Sequence, residues 1–319
     1  MTIVCTGSIA YDYLMSFPGY FKDHILPDHL ESISLSFLVD SMVKQRGGTA
    51  PNIAYTLALL GEKPYVLGTV GEDFEDFRRF LEGKGINTKF IRVIPGEFTA
   101  SFFANTDLSN AQIASFYTGA MAHAGEVSLR EFGPVKPELV VISPNDPKAM
   151  RQYCEECQAL NIPYLYDPSQ QIVRVDAEDI KVGVRGCESL FVNDYEYELL
   201  QKRTGFTPAE ILSMVKFMVV TEGEQGATVY SKETKYKIPV VPPEKIADPT
   251  GVGDAFRGGF LRGYRKGFDW QTCGQMGSLA ATYCLEQRGT QNHSYTPAQF
   301  IERYRQHFDD HGVLDALLI

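Results

Sequence analysis

Short β-branched runs alternate with helical patterns along most of the chain, and this alternation limits the fold more than any other feature. Strand-like runs fall at residues 2–6, 65–68, 139–143, 164–167, 189–193 and 217–221. Helical spacing falls at 50–60, 73–84, 147–160, 194–202, 208–215, 253–266, 270–285 and 297–308. A run such as Leu139-Val-Val-Ile142 has no polar face, as expected of a strand covered on both sides. The pattern therefore predicts an α/β, Rossmann-like architecture: a mostly parallel sheet with helices on both faces. Ligands of such sheets bind beyond the carboxyl ends of the strands. Thr6-Gly-Ser8, Asp167-Pro-Ser-Gln-Gln171, Asn193-Asp-Tyr-Glu196 and Thr221-Glu-Gly223 all follow strand-like runs, so they should share one sheet edge.

Two segments break the alternation. Residues 13–45 and 88–120 carry short alternating runs without a helix between them, and they read as inserted β-rich segments forming a small lid. No repeat or low-complexity stretch divides the chain, so residues 1–319 are expected to form one domain. A formal charge of −10 argues against nucleic-acid or anionic-membrane partners. The start of the chain has no basic segment and no long apolar run, so a cytoplasmic protein is expected. The six cysteines fit reduced thiols. Cys154 and Cys157 lie in an expected helix with no second pair, which favours a structural role over zinc or redox chemistry.

The stretch Asp248-Pro-Thr-Gly-Val-Gly-Asp-Ala-Phe-Arg-Gly-Gly-Phe260 carries the most chemistry. A glycine turn opening a helix aims backbone N–H groups and the positive end of the macrodipole at one point, which attracts phosphate oxygens. A carboxylate there, Asp254, is costly unless it has work to do, such as accepting a proton from an attacking hydroxyl. Alone, the same residues fit an ordinary strand-to-helix turn capped by Asp254. Gly258 and Gly259 lie inside the expected helix at about 1 kcal/mol each relative to alanine, so something should pack closely against them. A second glycine turn, Arg46-Gly-Gly-Thr-Ala-Pro-Asn52, opens the first long helix, with Thr49 as expected N-cap and Pro51 in the first turn. Gly47 and Gly48 would let the backbone approach a ligand, and Asn52 offers a donor and an acceptor to a hydroxyl-bearing one.

Together, and in this order, the two glycine motifs resemble those of the ribokinase (PfkB) family of carbohydrate and nucleoside kinases. Asn193-x-x-Glu196 and Thr221-x-Gly223 match further motifs of that family. Segments scattered through the chain are similar to the actinobacterial type of adenosine kinase within it. They are Gly7-Ser-Ile-Ala-Tyr-Asp12, Ser34-Leu-Ser-Phe-Leu-Val-Asp40, the run from Ala111 to Met121, and Asp167-Pro-Ser-Gln-Gln171. The resemblance implies a ribokinase fold and ATP-dependent transfer of a γ-phosphate to the 5′-hydroxyl of adenosine, giving AMP. The alternative within the family is a kinase of an uncharged sugar or another nucleoside.

The resemblance also implies roles. Asp254 would be the base, and the amides of Gly251, Val252 and Gly253 would hold the transferred group. Asp12, Gly47, Gly48 and Asn52 would bind ribose. Ser8, Ser36, Gln170, Gln171 and Arg174 would line the acceptor pocket, with Phe102 and Phe116 sandwiching the base. Asn193, Glu196, Thr221, Gly223, Gly226, Gly251 and Gly253 would hold ATP. Glu196 would hold Mg2+ through water, and Asp248 and Thr250 match positions for a monovalent cation such as K+. A homodimer through exposed lid strands is also expected. Residues 99–121 contain no Lys or Arg, which disfavours a phosphosugar acceptor. The dinucleotide fingerprint is missing after the first strand, which disfavours a nicotinamide-dependent oxidoreductase. A non-catalytic binding protein would have no need of Asp254.

Overall fold

The computed structural model describes residues 2–25 and 34–318. In chain order the elements are β1 (Ile3–Thr6), β2 (Ala10–Ser16), β3 (Ser41–Gly47), α1 (Thr49–Leu59), β4 (Tyr65–Val70), α2 (Glu75–Gly83) and β5 (Asn87–Val93). Then come β6 (Ala100–Thr106), β7 (Gln112–Tyr117), β8 (Leu139–Ile142), α3 (Pro147–Leu160), β9 (Tyr164–Tyr166), α4 (Ala177–Gly186) and β10 (Ser189–Asn193). The chain ends with α5 (Asp194–Thr204), α6 (Pro208–Met214), β11 (Phe217–Thr221), β12 (Ala227–Ser231), β13 (Lys235–Ile238), α7 (Val252–Lys266), α8 (Trp270–Leu285) and α9 (Pro297–Arg305).

These elements form a nine-stranded sheet, ordered β13-β12-β11-β10-β9-β8-β1-β4-β5, and a four-stranded sheet, ordered β3-β2-β6-β7. In the large sheet the strands from β11 to β5 run parallel, and β12 and β13 add an antiparallel edge. Side chains alternate across a strand, so each buried strand feeds two cores. Ile3, Cys5, Leu139, Val141, Phe217 and Val219 join one core with residues of α1, α7 and α8. Val4, Val140, Ile142, Met218 and Val220 join the other with residues of α3, α4, α5 and α6. Burying each such side chain contributes about 1.5–3 kcal/mol, so the sheet is held from both sides. All six cysteines are free and buried, Cys154 and Cys157 among them, and burial pushes both of these thiols up.

The sequence misplaces one strand and misses others. The segment 88–120 does not act as one insert: β5 pairs in parallel with β4 at the edge of the large sheet, and only β6 and β7 enter the small one. The small sheet begins at Ala10, before the expected start of the lid, and part of the segment 13–45, residues 26–33, lies outside the described residues. The helix α4 and the hairpin β12–β13 have weak patterns. Two glycines interrupt the first, and exposed Lys235 and Lys237 blunt the second as an edge strand.

The glycines inside α7 have a packing reason. A Cβ on Gly258 would sit 2.6 Å from Thr56 Cβ of α1. One on Gly259 would sit 2.5 Å from Met276 O and 2.8 Å from Ala280 Cβ, both of α8. Side chains there would push both neighbouring helices away, so the two glycines set how closely α1 and α8 flank α7.

Candidate active site

The four segments expected at one sheet edge do meet there. Ser8, Gln170, Gln171, Asn193, Glu196, Thr221 and Gly223 all line one cavity of about 1310 Å3. The small sheet, α1 and the start of α7 complete its wall through Asp12, Phe102, Phe116, Asn52 and the run Thr250–Asp254.

The turn into α7 is built as the motif implied. Gly251, at φ +77°, precedes the helix, which starts at Val252. The first N–H groups of a helix have no partner within it, and those of Gly253 and Asp254 find no acceptor among the described residues. Asp254 therefore stands beside a set of free amides. Its carboxylate Oδ2 accepts a 2.8 Å hydrogen bond from Asn52 Nδ2. Burial raises its pKa, while the Arg257 guanidinium and the Asn52 bond oppose that rise. Arg257, one turn along α7, is itself buried and forms an ion pair with Asp167 at the end of β9. Its Nε lies 2.6 Å from Asp167 Oδ2, and its Nη2 donates to Oδ1 at 2.7 Å.

On the other side, the small sheet presents a row. Asp12 on β2 is paired in register with Gln45 on β3 and with Phe102 on β6, and Phe102 is paired with Phe116 on β7. Residues directly opposite one another share a face, so the carboxylate and the two rings form one surface. This corrects the expected sandwich: Phe102 and Phe116 lie side by side and make a platform for one face of a flat ligand. The Asp12 carboxylate is half-buried and accepts no hydrogen bond among the described residues. Burial, helped by Asp248, pushes its pKa up to about 6.

The glycine turn before α1 also differs in detail. Gly48, not Thr49, precedes the helix, at φ +93°, and its missing side chain avoids the Ser8 carbonyl and Ile9 Cα. Ser8 supplies the cap instead: its Oγ accepts from Thr49 N at 3.2 Å. Gly47 is not part of the cavity wall; a Cβ there would lie 2.6 Å from Asp12 Oδ2, so this glycine clears space for the carboxylate. Ser36 is exposed and lies off the cavity. Gln171 is buried and donates to Asn145 O at 2.8 Å, while Gln170 and Arg174 remain exposed at the wall. Asn52, expected to serve a ligand, has both ends of its amide engaged. Its Nδ2 donates to Asp254, and its Oδ1 accepts from Gln291 Nε2 at 2.8 Å.

At the nucleotide motifs, Asn193 and Glu196 form a capping box at the head of α5. Asn193 Oδ1 accepts from Glu196 N at 2.7 Å, and Asn193 N donates to Glu196 Oε2 at 2.8 Å. Glu196 Oε1 accepts no hydrogen bond among the described residues. Gly226 lines the cavity with Gly223. Asp248 is not in the wall: its Oδ1 accepts from Thr250 N at 2.9 Å and its Oδ2 from Gly289 N at 3.0 Å, tying two loops together. Among the described residues no group of three or more His, Cys, Asp or Glu could cage a metal ion. Such a site fits only an ion that keeps its waters and rides on phosphates, as Mg2+ does, and the spare oxygen of Glu196 would be free to accept from one of those waters.

Several wall residues had no sequence signal of their own. Val240, Pro243 and Ile246 of the loop after β13 join Ala281 and Leu285 of α8 in an apolar part of the wall, and nothing in a Val-Pro-rich loop distinguishes it from any other connection. Arg257 and Asp167 lay inside motifs, yet their pairing across the fold could not be read from either. No described helix is long and apolar enough to cross a membrane.

Residues 11–298 match the pfkB family carbohydrate kinases. A nucleoside kinase of Methanocaldococcus jannaschii is 30% identical over 307 residues, covering 96% of this chain and 97% of that protein. The nucleoside kinase of Burkholderia thailandensis in complex with inosine superposes with a TM-score of 0.85 at 36% identity, over 97% of this chain and 98% of that one. Its complex with ADP-inosine gives a TM-score of 0.83 at 37% identity, over 97% and 96% of the two chains.

Proposed function

The chain belongs to the pfkB family of carbohydrate kinases, and from that premise we propose that it transfers the γ-phosphate of ATP to the 5′-hydroxyl of a nucleoside, adenosine being the acceptor that its sequence segments favour. The observation that carries this reading is the single cavity joining the unpaired carboxylate of Asp12 and the Phe102–Phe116 platform to Asp254 and the free amides of α7. A carboxylate offers two acceptor oxygens, which suits a vicinal ribose diol. Stacking on an aromatic platform is worth ~1–3 kcal/mol per base, which favours a nucleoside over a bare sugar. The B. thailandensis relative, with ADP-inosine in the same fold, supports both halves of the reading.

In the reaction, Asp254 accepts the proton of the 5′-hydroxyl as that oxygen bonds to the γ-phosphorus. The bond from the γ-phosphorus to the β–γ bridging oxygen breaks, and ADP leaves. The amides of Gly253 and Asp254 hold the charge on the transferred group, acting where the dipole of α7 already favours an anion. Glu196 would hold Mg2+ through water, and the ion would supply charge neutralisation on the phosphates. Gly223, Gly226 and the apolar side chains of Val240, Pro243, Ile246, Ala281 and Leu285 receive the nucleotide. A monovalent cation near Asp248 and Thr250 belongs to the same proposal, and assays in potassium against choline chloride test it.

The decisive experiment offers the protein Mg-ATP with adenosine, inosine, guanosine, cytidine, ribose and fructose, resolving the products. Phosphorylation of nucleosides at the 5′ position is expected, with ribose and fructose poorer by roughly 5–160-fold, from the stacking energy. A free sugar outpacing every nucleoside would defeat the assignment.

The pKa of Asp12 adds a further expectation. Below about pH 6 its carboxyl is protonated and loses acceptor capacity, so the KM for the nucleoside should rise as pH falls through 6 while the KM for ATP stays level. A nucleoside KM flat from pH 5 to 8 would remove Asp12 from the diol site.

A further inference from the structure

Three consecutive residues in the loop after α8 reach three separate parts of the site. Gly289 N donates to Asp248 Oδ2 at 3.0 Å, Thr290 Oγ1 donates to Arg46 O at 3.0 Å, and Gln291 Nε2 donates to Asn52 Oδ1 at 2.8 Å. The last contact continues from Asn52 Nδ2 to Asp254 Oδ2. Gln291 and Asn52 are both buried, at 3% and 5% exposure.

The direction of this chain follows from its end. An ionised carboxylate only accepts, so Asn52 must turn its N–H group toward Asp254. Its oxygen then faces Gln291, which must present N–H in turn. A reversed Asn52 would set oxygen against oxygen at the carboxylate. Gln291 also leaves its own Oε1 buried without a hydrogen-bond partner. The bond to Asn52 is thus the one hydrogen bond the Gln291 side chain makes among the described residues, and it is made by the donor end.

We propose that Gln291 is a positioning residue: by donating to Asn52 Oδ1 it locks the Asn52 amide in the one orientation that donates to Asp254, keeping that carboxylate ionised and aimed. The inference rests on Asp254 acting as the base. Other charged or titratable groups bear on Asp254 from the neighbouring elements: Arg257 on its own helix, Asp167 after β9 and Cys284 on α8, while Glu196 at the head of α5 acts on Arg257 and Asp167. Arg257 opposes the raised pKa of Asp254 throughout, so the amide chain adds to an existing attraction and supplies direction as well as charge.

The test uses the full chain with Gln291→Met and Gln291→Glu, following kcat and KM from pH 5 to 9.5. Methionine keeps the volume and removes the donor. Its kcat should fall roughly 10–100-fold, the worth of one hydrogen bond to a charged group, with the acid limb of the profile moved upward and the nucleoside KM little changed. Glutamate donates only while protonated. Its variant should keep the acid limb set by Asp254 and gain, above it, a descending limb at high pH that the unaltered enzyme lacks. A folded Gln291→Met variant whose kcat and acid limb superimpose on those of the unaltered protein overturns the proposal. Should that variant not fold, a Gln291→Glu profile without the descending limb does so. Failure of the unaltered protein to phosphorylate any nucleoside would instead overturn the functional assignment, and full activity in Asp254→Asn would overturn the role of the base.

Discussion

Asp254→Asn is expected to lower kcat by about 10²–10⁴-fold, the usual worth of a general base. The substitution keeps the shape of the side chain and its place in the first turn of α7, so binding of nucleoside and ATP should survive. The loss belongs to the chemical step, because the amide cannot accept the proton released as the 5′-oxygen attacks. The pH dependence should change with it. Burial raises the pKa of Asp254, and its protonated form cannot accept a proton, so activity of the unaltered protein should fall as pH drops through that raised value. In Asp254→Asn this limb should vanish. The checks are steady-state kinetics across pH and calorimetric nucleoside binding. A variant with near-full kcat and intact binding would rule out proton transfer to this residue.

Arg257→Met should cost the most stability of any single change beside the cavity. Removing one partner of a buried ion pair typically costs about 3–5 kcal/mol, because the other charge stays behind without compensation. Here the remaining charge would be Asp167, which is 1% exposed. Burial already pushes its carboxyl up against the opposing pull of the guanidinium. The double variant Asp167→Leu with Arg257→Met should recover much of that stability, since a buried pair and a well-packed apolar pair often differ little. It should not recover activity, because Asp254 would still lack the nearby positive charge. Denaturant unfolding reads the first effect and kcat the second. An Arg257→Met protein as stable as the parent would show that the pair contributes nothing to the fold.

The extent to which the sequence foretold the site follows from the range of each signal. The parallel sheet was legible because runs such as Leu139-Val-Val-Ile142 carry their burial in their own composition. The glycine turn into α7 was legible because Gly251, Val252, Gly253 and Asp254 are neighbours in the chain. The strand β5 was misassigned because its alternation, with exposed Lys89, Arg92 and Val93, resembles that of a half-covered lid strand, while it lies at the edge of the large sheet. Gln291 and the Asp167–Arg257 pair stayed hidden for a different reason. Their partners are distant in sequence, and neither side chain departs from what its local segment would accept. The side-by-side placement of Phe102 and Phe116 depended on the hairpin register, which fixes the shared face of two aromatic positions that alternation alone leaves open.

The close approach at Gly258 has a mechanical consequence. Asn52 and Thr56 are one turn apart on α1, and Asp254 and Gly258 are one turn apart on α7. The Thr56–Gly258 contact and the Asn52–Asp254 hydrogen bond are therefore successive rungs between the same two helices. The lower rung acts as a gauge block: its thickness, a single hydrogen where a methyl would not fit, determines the span of the rung above. The alignment of Asp254 is thus machined into the packing of the two helices. Asp12 and its aromatic platform hang from a separate sheet, so the span between Asn52 and Asp254 is set by helix packing and not by the sheet that carries Asp12.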